Sequence, residues 1–509
     1  MTDRISPLRR LLLGGVAVAL VVPPAGADTL REALVKAYNT NPTINAQRAA
    51  QRANDENVPI ARASGLPSVD ASGGYTENLS NSSGSSSNSF ASPARQATGS
   101  TQLSIPVFSG GAVRNSVKAA EVRVDAGRDT LRGTEGDLFT AVVGAYMDVI
   151  RDEAIVSLNQ QNVHVLDVNL QASKDRFQVG DLTRTDVAQS DARLAVARSQ
   201  LQTAQSQLIA SRENYIRVVG SPPENLETPP GLPNLPGSPD TAVDVALKDN
   251  PTLLAAQKTR DATRYDVDAA RAQRLPKLSV VVGGNYYNYL NSLGAGSGVA
   301  FPQSGTSATA GLSLTVPLYQ GGKPAAEVRQ AQALRSQAIE QATDAERTVI
   351  SNTRSAYAMW QSSLEVIASS ETAVNANKLS LEGVRAENSV GNRTILDILN
   401  AEQELLNSQV TLVTAQRDAY VAGFALLAAM GHAEARDLGL DGGPLYDPVA
   451  NFKAVEHGIS DWSDGKPVKA TGTSTVGTPA QNANVTTKLD PLLTTPVDTG
   501  TPNPAIVPK

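Results

Sequence analysis

Large apolar residues recur every seven positions along two long stretches of the chain. Val117, Val124, Leu131, Leu138 and Ala145 open the first; after a step of four, Val149, Val156, Val163, Leu170 and Phe177 continue it. A seven-residue apolar repeat predicts helices that wind around partners with a left-handed supercoil, and an inserted four is a stutter that relaxes the winding. The second stretch carries Val187, Leu194, Leu201, Leu208 and Tyr215, with Ser190, Ala197, Ala204 and Ser211 three positions after the large residues. Large residues alternating with small ones let helices approach closely and interlock. The spacing predicts a helical hairpin over 112–219 that turns near Gly180. At 1.5 Å per residue its first arm is roughly 100 Å long, far beyond an ordinary globular helix.

The hairpin occurs twice. Ile105–Gly111 returns as Val316–Gly322, the turn at Gly180 as Gly391, and Val218-Val219-Gly220 as Ala429-Met430-Gly431, always at an offset of 211 residues (105 to 316, 180 to 391, 220 to 431). The second copy, 322–429, repeats the large and small alternation with Ile398, Leu405, Leu412, Ala419 and Leu426 against Ala401, Ser408, Ala415 and Ala422. Upstream, a helix over 29–39 stopped by Asn41-Pro42 and another over 43–64 ended by Gly65 and Pro67 reappear around Asn250-Pro251 and Leu275-Pro276.

Between these helices and each hairpin the period changes to two. Leu103, Ile105 and Val107 alternate with polar or small residues, as do Leu312, Leu314, Val316 and Leu318, and strands are expected at about 67–79, 99–108, 276–290 and 307–318. Tyr75, Tyr286, Tyr287 and Tyr289 lie toward the far ends, and the polar stretches 80–92 and 291–307 join the pairs. Apolar-out, polar-in alternation over about ten residues with aromatics near the ends fits an outer-membrane barrel; a soluble antiparallel hairpin shares the pattern. Four strands cannot close a barrel, and an open edge in hydrocarbon is prohibitively costly, so a barrel requires strands pooled from several copies.

The resulting layout is 1–27 signal peptide, 28–220 first repeat, 221–239 linker with seven prolines, 240–431 second repeat, 432–464 docking segment and 465–509 disordered tail. The signal reading rests on Arg4, Arg9 and Arg10 before an apolar run from Leu11 to Val22 and on Ala25-Gly26-Ala27. The tail is Thr-, Pro-, Val- and Asn-rich without period.

Composition narrows the function. The net charge of −6 argues against a nucleic-acid partner. No cysteine is present, so a thiolate metal site, a disulfide framework or a thiol nucleophile is excluded. His164, His432 and His457 are the only histidines, and His164 sits in the first long arm beside the Val163 core position, the place of a flank residue rather than a ligand. Gly294–Gly298 lacks the flanking strand and basic helix start of a phosphate loop, and Asp441-Gly442-Gly443 is followed by too few ligands for calcium. An enzyme is not expected, nor a cofactor, nor a resident metal.

The duplicated order of helices, strands and long hairpin, the Pro-x-x-x-Gly-Gly transitions at Pro106–Gly111 and Pro317–Gly322, and the turn motifs Val179-Gly180…Thr185-Asp186-Val187 and Val390–Leu399 resemble the TolC-like outer membrane channel-tunnel family, the exit ducts of type I secretion systems and multidrug efflux pumps. The resemblance covers nearly all of Asp28–Gly431. It implies a mainly α chain with a small membrane β part: a homotrimer whose α-barrel tunnel crosses the periplasm and continues into a 12-stranded β-barrel in outer-membrane lipid. Expected partners are a periplasmic adaptor (membrane fusion protein) and an inner-membrane ABC transporter or proton-driven pump. An acylated N-terminal cysteine, frequent in efflux-type members, is impossible here, which favours type I secretion or a general-purpose duct. A soluble periplasmic scaffold or adaptor would share the heptads without needing lipid-facing strands.

The resemblance also places a gate at the hairpin tips. Gly180 and Gly391 suit positive φ where the chain reverses. Thr183 and Thr394 each stand three residues before an acid, Asp186 and Asp397, as in a capping box. Capping explains these residues by itself; the family adds a function. Asp397 matches an acidic ring position, and Arg393 matches a linking arginine for which Asp186 is the expected partner. The second acidic position is Asn400 here, and the linking tyrosine is Asn388. Gly180, Thr183, Gly391 and Thr394 are then the expected adaptor contacts.

Overall fold

In the computed structural model, residues 28–79, 93–294, 300–440, 445–465, 470, 472–485 and 489–494 are described. The signal reading, the loop 80–92, part of the loop 291–307 and Asp441-Gly442-Gly443 lie outside them.

Each repeat begins with short helices: α1 (Leu30–Thr40), α2 (Pro42–Asp55) and α3 (Asn57–Ala63) in the first, α6 (Pro239–Asp249) and α7 (Pro251–Ala272) in the second. The single helix expected over 43–64 is two. Pro59 has no N–H to donate, and its ring meets the carbonyl four residues back, so the helix breaks at Glu56. The second copy has Asp268 at the equivalent place, and α7 runs on unbroken.

The strands β1 (Ser68–Glu77), β2 (Arg95–Phe108), β3 (Lys277–Asn288) and β4 (Ser304–Thr315) form one antiparallel sheet in the order β1-β2-β3-β4. β2 starts earlier than the alternation suggested, and β4 stops at Thr315. Beyond it Pro317 cannot donate to a ladder, and Leu318 and Tyr319 stand exposed.

The arms follow as α4 (Ala112–Gln178) with α5 (Arg184–Val219), and α8 (Lys323–Ser389) with α9 (Ile395–Met430). Both first arms hold 67 residues and both second arms 36. The heptads are the packing: Val124, Leu131, Leu138, Val149, Val156 and Leu170 are buried on α4, and Ser190, Ala197, Ala204 and Ser211 on α5. The main core gathers around Phe139, Tyr146 and Tyr215. There the Tyr146 hydroxyl donates to the carbonyls of Asp28 (2.9 Å) and Glu227 (2.6 Å), tying the stretch before α1 and the linker to α4.

Glycines close both second arms. Gly431 has φ +83°, and a Cβ there would lie 2.4 Å from the Asp249 carbonyl oxygen, whereas one on Gly391 (φ +80°) meets nothing. Gly391→Ala is therefore expected to cost about 1–2 kcal/mol of left-handed strain. Gly431→Ala should cost distinctly more, because backbone must also move. Thermal unfolding of the two variants checks the order; equal shifts would contradict it.

The docking segment forms α10 (Pro448–Val455) against α2. The tail differs from expectation. Its described parts lie along the helical body: Arg212 donates to the carbonyls of Asn482 (2.6 Å) and Asn484 (2.9 Å), and Gln409 to that of Leu493 (2.9 Å). Leu493 is buried among Leu158, Val374 and Leu412. An extended strap needs only isolated apolar anchors, with its carbonyls satisfied by the body's side chains, so it leaves no period in the sequence.

Candidate functional site

Directly paired residues of an antiparallel ladder share a face. The register therefore sorts the sheet completely. One face carries Val69, Ala71 and Tyr75 of β1, Leu103 and Ile105 of β2, Leu278, Val280, Val282 and Tyr286 of β3, and Ala310, Leu312 and Leu314 of β4. The other is mostly polar, carrying Asp70, Ser72, Gln102, Ser104, Asn285, Ser307, Thr309 and Ser313, with Val281 and Tyr287 the apolar and aromatic members among them. A bulge between Pro106 and Phe108 keeps Phe108 on the apolar face opposite Leu278. From Leu278 to Tyr286 the strand rises about 26 Å, which at the usual tilt gives an apolar band of roughly 20 Å, near that of a membrane barrel. Val69, Leu312 and Leu314 are exposed on that face, and β1 and β4 are open edges. No described helix is long and apolar enough to cross a membrane.

At the opposite end are the hairpin tips. Gly180 (φ +83°) and Gly391 (φ +80°) reverse the chain. Asp181 N donates to the Arg176 carbonyl and Asn392 N to that of Glu387, both 2.9 Å, which satisfies carbonyls at the helix ends. Both capping boxes form. Asp186 Oδ2 accepts from the Thr183 hydroxyl (2.7 Å) and N–H (2.9 Å), and Asp397 Oδ2 from the Thr394 N–H (2.9 Å) and hydroxyl (2.8 Å). These bonds hold both carboxyls below their ordinary range: the Thr183 hydroxyl does most for Asp186, the Thr394 N–H most for Asp397. A depressed pKa means that the caps stabilise above the ordinary carboxylate range and are lost only as pH falls through the lowered values.

Arg393 is not joined to Asp186 within the chain. Its Nε donates to Glu387 Oε2 at 2.7 Å, and this bond raises its pKa. The Asn388 amide donates to the Arg393 carbonyl (2.7 Å), so the residue at the linking-tyrosine position shapes the turn that presents the arginine. Asn400 accepts from Arg193 of α5 at 2.7 Å, joining the two hairpins of one chain. Deeper, Glu402 is buried and accepts from the Asn169 amide (2.9 and 3.0 Å) and from Arg385 (3.2 Å), binding α4, α8 and α9 together. The sequence reading missed Glu387, Arg193 and the Glu402 cluster. Glu402 carried a signal, being acidic within the apolar seam between Ile398 and Leu405; Arg193 carried none.

No group of described residues resembles a metal site. Residues 33–221 and 242–432 match a family model described as outer membrane efflux protein. The chain is 34% identical over 453 residues to the outer membrane efflux protein BepC of Brucella suis biovar 1, covering 88% of this chain and 94% of that one. It is 27% identical over 318 residues to the alkaline protease secretion protein AprF of Pseudomonas aeruginosa, covering 61% and 65%. In fold it resembles the CmeC outer membrane channel of Campylobacter jejuni (TM-score 0.69, 15% identity, 85% of this chain and 90% of that one).

Proposed function

Because this chain belongs to the outer membrane efflux protein family, we propose that three copies pool their sheets into a closed barrel and their hairpins into one tunnel, making a passive duct gated at the tips. The chain is an outer-membrane channel protein with its helices in the periplasm. The observation that carries the trimer is the four-stranded sheet, apolar on one face and mostly polar on the other, with both edges open. Unpaired backbone groups in hydrocarbon cost several kcal/mol each, and closure with further copies removes them. A twelve-stranded barrel from three such sheets also puts the Ser, Thr, Gln and Asn face around a wet lumen. The helices support the same reading. α8 is as long as α4 yet leaves Leu334, Ile339, Met359, Leu364 and Leu379 exposed at several points around its surface, apolar area that neighbouring copies would cover.

At the tips, Arg393 would meet Asp186 between protomers, with Asp397 as an acidic ring, and Gly180, Thr183, Gly391 and Thr394 would face an adaptor. A link between protomers breaks when partners draw one hairpin aside, and this opens the duct. Asn400, bound to Arg193, contributes no charge to the ring. Asp397→Ala should therefore reduce cation preference. Reversal potentials measured across a salt gradient would sink the ring assignment if they stayed unchanged.

For cargo we favour type I secretion with an adaptor and an ABC transporter, which a relative named for alkaline protease secretion supports. Drug efflux with a proton-driven pump is the second reading, supported by BepC's name. Deleting the gene and comparing secreted proteins with drug susceptibility separates them: loss of a secreted protein at unchanged susceptibility supports the first, the converse the second. For the duct itself, the purified mature chain should be a detergent-dependent trimer that forms pores in planar bilayers. A water-soluble monomer without conductance would refute it.

A further inference from the structure

The helical-side ends of the strands, Ser68, Phe108, Lys277 and Thr315, mark the height at which the lipid band stops. The segment containing α10 climbs toward that row. The Asn451 amide donates to Asp55 Oδ2 (2.8 Å), Phe452 packs against the cluster of Val58, Ala120 and Val124, and Arg62 donates to the Glu456 carbonyl and lies 3.3 Å from His457 Nδ1. Asp55, Val58 and Arg62 are successive steps up α2 and α3. That ladder ends at Gly65, whose backbone is against Val113 in the first turn of α4, just before β1. His457 is thus held beside Arg62, six residues before β1 begins at Ser68. Ile459 and Trp462 come next.

Both side chains stand clear of the body, 80% and 96% exposed. The chain has only two tryptophans, and the other, Trp360, packs edge-on to Tyr357 at 5.9 Å between their ring centroids. A bare tryptophan and isoleucine on a segment pinned by Arg62, beside the edge of a membrane sheet, suit the headgroup layer, where an amphipathic ring is wetted on one side and buried on the other.

We propose that Ile459 and Trp462 are an interfacial anchor seated in the phospholipid of the periplasmic leaflet. They form the lower counterpart of Tyr75 and Tyr286, which stand toward the outer end of the sheet's apolar face. The assignment rests on the outer-membrane reading and adds a contact outside the barrel. Its role is to fix the height of the helical tunnel relative to the lipid.

The test uses the full-length mature protein carrying Trp360→Phe, so that Trp462 is the sole tryptophan, reconstituted in phosphatidylethanolamine–phosphatidylglycerol vesicles. Trp462 emission should be blue-shifted and resistant to aqueous iodide. It should be quenched more by lipids brominated near the headgroup than by lipids brominated near the chain ends. Red-shifted, iodide-quenched emission would overturn the anchor. So would blue-shifted emission indifferent to bromolipid, which places the ring against another copy of the chain. Pores that still conduct in either case would separate this failure from failure of the channel reading. Should Trp360→Phe fail to fold, Trp462→Cys in this otherwise cysteine-free chain, labelled with an environment-sensitive dye, reads the same depth.

Discussion

Arg393→Ser is expected to raise single-channel conductance severalfold while leaving assembly intact. The arginine is exposed at the tip, its turn is held by Asn388, and its guanidinium is paired with Glu387 of the same chain. The pair with Glu387 is a competitor of any link to a neighbouring protomer, which makes two companion variants decisive. Asp186→Ala should open the duct as Arg393→Ser does, since it removes the acceptor across the interface. Glu387→Gln should leave it closed, because it releases the arginine toward that acceptor. If Glu387→Gln opens the pore as widely as Arg393→Ser, the gate is an intrachain clamp and the assignment of Asp186 fails. Because the Thr183 bonds hold Asp186 below the ordinary carboxylate range, the closed conductance should persist on acidification through that range and rise only below it. A link made by an unperturbed carboxylate would weaken earlier.

The second large effect is expected at Glu402. It is buried where α4, α8 and α9 meet, with Arg385 and Asn169 donating to it. Glu402→Ala removes the buried carboxylate that accepts from Arg385 and Asn169, and removing one partner of a buried pair costs about 3–5 kcal/mol. Thermal or guanidinium unfolding should show a loss of that size, three times over in a trimer, with looser tips and noisier conductance. Replacing both partners by leucine should be close to neutral by the same reasoning, since no charge is left behind. An unshifted midpoint for Glu402→Ala would mean that the seam is wet, and the cluster would lose its role in joining the hairpins.

The sequence determined the features that repeat in register. Heptads fixed the arms because every seventh side chain must meet a neighbour, and the offset of 211 residues between the two hairpins holds without an insertion. Thr183 with Asp186 and Thr394 with Asp397 were legible as caps because capping is local chemistry within four residues. The strand alternation foretold the sheet's two faces, though not that β2 would begin at Arg95 or that β4 would stop short of Pro317.

What the tertiary structure alone decided is the pairing of side chains far apart in the chain. Nothing in the spacing says that Arg193 meets Asn400, that Glu402 receives Asn169, or that Glu387 takes Arg393 in place of Asp186. The same holds for the aperiodic tail, anchored by Leu493 and by carbonyls that Arg212 and Gln409 satisfy. Periodicity records what one helix or strand does repeatedly along its own length. A contact made once, between elements brought together by packing, leaves no period to read.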